Sequence, residues 1–104
     1  MKLSELLENY RPGSFDPPWS WDDEVHDLHH NAPCPTAYAI TQGIDVEPCD
    51  DPSPGCYQRR LEEHLREVGA ITQPVCLGGD GRVWDGHHRI VAAIRLGFDE
   101  IPVE

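Results

Sequence analysis

The stretch Val83-Trp84-Asp85-Gly86-His87-His88-Arg89-Ile90 decides how this chain is read. It has the pattern of a short strand, a tight turn and the first turn of a helix. The helix continues through Val91-Ala92-Ala93-Ile94-Arg95-Leu96 and meets a stop at Gly97. The first N–H groups of a helix lack partners and carry a partial positive charge. Two imidazoles and a guanidinium at such an end are unfavourable when it is empty. They become favourable when an anion such as phosphate sits there. Gly86 permits a tight backbone and close approach of a ligand. Asp85 can cap the helix or orient a histidine. Arg89 offers a planar fork of donors suited to phosphate. His87 and His88 can donate to phosphate oxygens or transfer protons near neutral pH. Asp85 and His88 are therefore the candidate catalytic residues, and Gly86, His87, His88 and Arg89 the candidate ligand-binding residues. Successive helical positions diverge by about 100°, so only one of the two histidines is expected to face the ligand. The competing reading is an ordinary Asp-Gly turn in which Asp85 offsets the bases.

Working outward, Ser53-Pro54 fits an N-cap and first helical position. Tyr57, Leu61, Leu65 and Val68 follow at helical spacing up to Gly69. The opposite face, Arg59, Arg60, Glu62, Glu63, Arg66 and Glu67, reads as solvated charge. Ile71 to Leu77 is a β-type stretch interrupted by Pro74. Gly78-Gly79-Asp80-Gly81 is a turn. Arg82-Val83-Trp84 returns as a strand, and Ile101-Pro102-Val103 is a final short strand. The expected fold is α+β, a short mixed sheet with helices at about 54–68 and 87–96. Eight of the ten prolines fall between Pro12 and Pro54, which excludes long helices there. Ser4 is a candidate cap for a short helix through Leu6, Leu7 and Glu8. Phe15 to Trp21 reads as irregular, with Trp19 and Trp21 packing on the core. Asp22 or Asp23 is a candidate start for a helix through Val25 and Leu28. Thr36 to Ile40 is the best candidate for a first strand, with Ile44 to Val46 as its competitor. Residues 1–35 are expected to form an acidic, Trp- and Pro-rich arm packing on a domain at 36–104.

The 104 residues suit one domain. Residues 1–56 carry eleven acids against two bases, and residues 57–104 eight acids against six arginines. The net charge of −11 opposes non-specific DNA binding. The absence of a long apolar run or signal-peptide core predicts no membrane span and a cytoplasmic location. Cys34, Cys49, Cys56 and Cys76 contain no Cys-x-x-Cys pair and are expected to be reduced thiols. His26, His29, His30 and Cys34 are close enough in sequence to share a metal. Further ligands would have to come from Cys49 or Cys56 across a proline-rich loop, so zinc is not expected. The histidines read instead as exposed residues of a polar arm.

The motif resembles the ParB/sulfiredoxin-like superfamily, also called the ParB-like nuclease domain. The resemblance rests on Gly69, Pro74-Val75, Gly81-Arg82-Val83, Asp85-Gly86-His87-His88-Arg89, Ala92-Ala93, Leu96-Gly97 and Ile101-Pro102-Val103, with the helix at 57–68 ahead of them. It covers roughly residues 36–104. It implies a small stand-alone member of phage or mobile-element type that binds nucleotide phosphates at this helix start, with ATP or CTP and Mg²⁺ as cofactors. Sulfiredoxins carry cysteine where this chain has His87, so their chemistry is not expected. Partition proteins of the superfamily have Glu-Arg in place of His87-His88 and a following helix-turn-helix domain, which is not expected here. Kinase-like members add an upstream acid, for which Glu24, Glu47 and Glu62 are the candidates.

Three functions follow as expectations. The first is nucleotide binding. The second is phosphotransfer, nucleotide hydrolysis or nuclease activity at the same site, which needs a base or metal beyond the motif. The third is an interaction module whose acidic, tryptophan-bearing N-terminal half binds a host protein.

Overall fold

A computed structural model of the chain describes residues 1–13 and 18–104. Among these residues the chain forms five helices and a two-stranded antiparallel sheet, an α+β arrangement. In chain order the elements are α1 (Leu3–Asn9), α2 (Trp21–His30), α3 (Pro35–Thr41), α4 (Cys56–Val68), β1 (Cys76–Leu77), β2 (Val83–Asp85) and α5 (His87–Leu96). The expected irregular course through Phe15 and Asp16 lies outside the described residues.

The core forms where α5 turns its apolar face inward. Ile90, Val91, Ala92 and Ala93 are fully buried. Ile90, Ala92 and Ala93 meet Leu65 of α4, Ile71, Val75, Val83 and Ile101. Leu3 and Leu6 of α1 belong to the same cluster. The first residues are tied to the last by backbone bonds. Leu3 N–H donates to Asp99 O at 2.8 Å and Ile101 N–H to Met1 O at 3.0 Å. The N-terminal ammonium also reaches Ile101 O at 3.2 Å. The chain's two ends thus fix α1 over the core.

The sheet is smaller than the sequence suggests. β1 and β2 pair antiparallel, with an irregular register between Cys76 and Leu77. The mixed character of the expected sheet survives only as isolated bridges, one of them a parallel bridge between Val75 and Val103. Ile101 to Val103 therefore adds a bridge rather than a strand.

Several local expectations are corrected. Thr36 to Ile40 is helical, because Pro35 takes a first-turn position and the Cys34 thiol accepts the Ala37 N–H at 3.5 Å. Tyr38 and Ile40 are exposed, so no core face exists for a strand to bury. Ile44 to Val46 has no strand assignment either. Ser4 lies inside α1, which begins after Lys2 with no side-chain cap. α2 begins one residue before the aspartates: Ser20 caps it and Asp23 reaches back to the Ser20 N–H, a reciprocal capping box. Ser53 does not cap α4. It hydrogen-bonds Asp51 at 2.7 Å, and the helix begins after Gly55, two residues later. Trp21 packs against the core and donates to Tyr10 O at 2.9 Å, whereas Trp19 is largely exposed and donates to Glu24.

The buried face of α4 matches the one its apolar residues mark only in part: Leu65 is in the core and Leu61 packs against it. Tyr57 and Val68 are exposed, while Cys56, Gln58, Glu62 and Leu65 are buried. The helix is rotated so that Gln58 and Glu62 share its inward face with Leu61 and Leu65.

Leu6 is completely buried under the joined termini. Leu6→Ala is expected to destabilise the fold by about 2–5 kcal/mol, the usual cost of such a core truncation. Urea denaturation checks this.

Candidate functional site

β2 runs directly into Gly86, whose φ is +107°. A Cβ on this residue would come within 2.5 Å of Val75 Cγ1, so the turn requires glycine for both conformation and space. The first backbone bond of α5 runs from Ile90 N–H to Gly86 O at 3.0 Å, and no side chain among the described residues caps this helix end. Asp85 is not the cap. Its carboxylate is mostly exposed and lies 3.6 Å from Arg89.

The three basic side chains leave the helix start in different directions. His87 reaches the N-terminal segment, where its Nε2 lies 2.7 Å from Pro12 O and must donate. Arg89 turns toward the segment before β1. It donates to Gln73 Oε1 and Pro74 O, both at 3.2 Å. Its Nε is buried and has no hydrogen-bond partner among the described residues. His88 points toward α4, with Nδ1 2.7 Å from Gln58 Oε1. The ring packs edge-on against Tyr57, centroids 4.8 Å apart.

The His88 contact begins a chain of buried polar groups. The Gln58 amide nitrogen donates to Glu62 Oε2 and to the His88 carbonyl, both at 3.0 Å. Neither acceptor can donate, so the amide orientation is fixed. Its oxygen must then accept from His88 Nδ1–H. This assigns the tautomer: Nε2 of neutral His88 keeps its lone pair. Beyond Gln58, Glu62 Oε2 lies 2.5 Å from His29 Nε2, and Arg95 Nε lies 3.5 Å from Glu62 Oε1. His29 Nδ1 is also 2.7 Å from Val25 O. Both nitrogens of His29 therefore face oxygens. His29, one of the histidines expected to be exposed, is mostly buried. Glu62, placed by its periodicity on the charged outer face, is buried inside the network.

Burial pushes the His88 pKa below the usual histidine value of 6.5, and the charges of His87 and Arg89 push it the same way. His88 is thus held as a neutral acceptor or base.

Of the sequence-derived site residues, the structure gathers Asp85, Gly86 and Arg89 at the turn and sends His87 and His88 to either side. Gln58 and His29 were not singled out for this site. The available signal was the Gln58–Glu62 spacing, which places two polar side chains on one helical face. Of the three candidate upstream acids, Glu62 joins the network, Glu24 holds Trp19, and Glu47 is exposed. A wide groove lies at the opposite end of α5, lined by residues including Lys2, Leu7, Ile94 and Phe98.

The histidines of α2 point to different partners. The rings of His26 and His30 stack with centroids 4.5 Å apart, while His29 turns to Glu62. Cys34, Cys49 and Cys56 converge, with their sulfurs all within 4.8 Å of one another. All four cysteines are free thiols.

No described helix is long and apolar enough to cross a membrane. Comparisons with protein-family models, curated proteins and solved structures find no match to this chain.

The depressed pKa of His88 has a definite sign in stability. Between the native and unfolded pKa values the unfolded chain binds more protons, so stability rises with pH. The contribution is fully present above the ordinary histidine value and is lost as pH falls through the lower native one. Denaturant titrations at pH 7 and pH 5 are expected to show a smaller acid-induced loss for His88→Gln than for the wild type. NMR titration of the ring is expected to place its midpoint below that of an unstructured histidine.

Proposed function

We propose that the protein binds the phosphates of a nucleotide, ATP or CTP with Mg²⁺, at the first turn of α5. The observation that carries this reading is the helix start itself. Among the described residues it has no side-chain cap, its entering residue is a glycine, and it lies beside an arginine whose buried Nε has no partner there. Backbone N–H groups of residues 87–89 and the Arg89 guanidinium supply donors to phosphate oxygens. The exposed carboxylate of Asp85 would hold Mg²⁺ with water and phosphate as the other ligands. The resemblance of Asp85-Gly86-His87-His88-Arg89 to the ParB/sulfiredoxin-like motif supports the same ligand.

A second reading is favoured by one observation, the fixed tautomer of His88. In a phosphotransfer or hydrolysis reaction its Nε2 would take the proton of the attacking hydroxyl or water. The relay through Gln58, Glu62 and His29 would hold the ring in that tautomer.

Isothermal titration with ATP and CTP in the presence of Mg²⁺ tests the binding reading. Arg89→Ala is expected to weaken binding by roughly tenfold or more, the usual scale for a lost charge-assisted contact. No binding by the wild type, or equal binding by Arg89→Ala, would overturn it. The catalytic reading expects His88→Gln to abolish product formation while nucleotide affinity changes by no more than about threefold. Undiminished turnover by this variant would overturn that reading.

A further inference from the structure

The cysteine cluster lies on elements that the α5 site does not use. Cys34 stands at the start of α3, and its sulfur accepts the Ala37 N–H. Cys56 opens α4, directly after Gly55. Gly55 has φ +82°, and a Cβ there would strike the carbonyl of His29, so this turn is pressed against α2. The Gly55 N–H also donates to Ala32 O at 2.8 Å. Cys49 comes from the connection between α3 and α4, with its thiol directed at Asp51 O at 3.3 Å.

That connection runs from about residue 42 to residue 55 without helix or strand. It contains Pro48, Pro52 and Pro54, and its side chains are mostly exposed. Little apolar burial holds it in place. Yet it delivers Cys49 to two buried cysteines from the starts of two helices. Its end is held by Arg59 of α4, which bonds Asp51 and donates to Pro54 O, and the sulfur cluster ties its middle, at Cys49, to the starts of α3 and α4.

We propose that Cys34, Cys49 and Cys56 bind one Zn²⁺ ion through three thiolates. Zinc–sulfur bonds of about 2.3 Å in a tetrahedral site set sulfur–sulfur distances of roughly 3.8 Å. The three sulfurs lie within 4.8 Å of one another, so closing on the ion takes a shift of roughly 0.5 Å per sulfur. An all-thiolate donor set selects zinc over magnesium or calcium. Arg60 Nη2 lies 3.8 Å from Cys56 Sγ and offsets the excess negative charge of three thiolates around a divalent ion. No fourth cysteine, histidine or carboxylate among the described residues joins the cluster. Water or an added thiol completes the coordination. Binding releases the thiol protons to solvent and ties the loop to the starts of α3 and α4.

The full chain, reduced and stripped of metal, is titrated with Co²⁺ and then with Zn²⁺. The expected result is one ion per chain, a thiolate-to-cobalt charge-transfer band, and loss of that band as zinc displaces cobalt. Cys34→Ser, Cys49→Ser and Cys56→Ser are each expected to weaken binding by about tenfold or more, and Cys76→Ser to leave it unchanged. A second measurement needs no variant. Zn²⁺ should slow alkylation of Cys34, Cys49 and Cys56, read by mass spectrometry, while Cys76 reacts as before. The proposal is overturned by absence of the cobalt band together with equal alkylation with and without zinc. It is also overturned if trapping of thiols in freshly isolated protein reveals a disulfide within the trio.

Discussion

The structure depends on the way Gln58 is satisfied. Its side chain is fully buried between α4 and α5, where an unpaired amide would cost on the order of 1–3 kcal/mol per group. Both amide hydrogens and the oxygen have partners: Glu62, the His88 carbonyl and the His88 ring. These three bonds constrain the separation and rotation of the two helices. Glu62 extends the requirement to α2 through His29 and to the far part of α5 through Arg95. A buried network of this kind is stabilising only when complete. It therefore adds directional constraints on the placement of three helices to those of apolar packing.

The apolar contacts act on the other side of α5. Ile90, Ala92 and Ala93 meet the core, and the small alanines allow neighbouring segments to come close. Val75 packs where a side chain on residue 86 would otherwise be. The turn between β2 and α5 is consequently held from both directions, by Val75 beneath it and by Gln58 beside it. That is the physical basis for a rigid helix start, and a rigid start is what a phosphate site requires, because donors fixed in advance need no reordering on binding.

The elements most legible in the sequence were those with agreeing local signals. α5 has a glycine at each end and apolar residues at helical spacing, and it runs from His87 to Leu96. α4 was legible as a helix but only partly in its orientation. Tyr57, Leu61, Leu65 and Val68 suggested one inward stripe, yet the buried face includes Gln58 and Glu62. Periodicity weighs apolar residues and cannot register polar groups that find partners elsewhere in the chain. Thr36 to Ile40 failed for a local reason, since a β-branched and aromatic composition was outweighed by a proline in the first turn and a thiol accepting an N–H. At the site, the divergence of His87 and His88 followed from helix geometry. Their partners, Pro12 and Gln58, lie 75 and 30 positions away and were beyond any sequence spacing rule.

α4 also connects the cysteine cluster with the polar network. Cys56 opens the helix, Gln58 sits two positions later, and Glu62 lies about one turn further on. His29 belongs to both ends of this arrangement: its carbonyl packs against Gly55 and its ring bonds Glu62. An ion held by Cys56 would restrict the first turn of α4, and with it the amide that assigns the His88 tautomer. Motion of the 42–55 connection would act in the opposite sense, loosening Gly55 against His29 and then the Glu62 contact. The polar chain thus gives the cysteine cluster a physical route to the start of α5, made of hydrogen bonds with single acceptable orientations rather than adjustable apolar contacts.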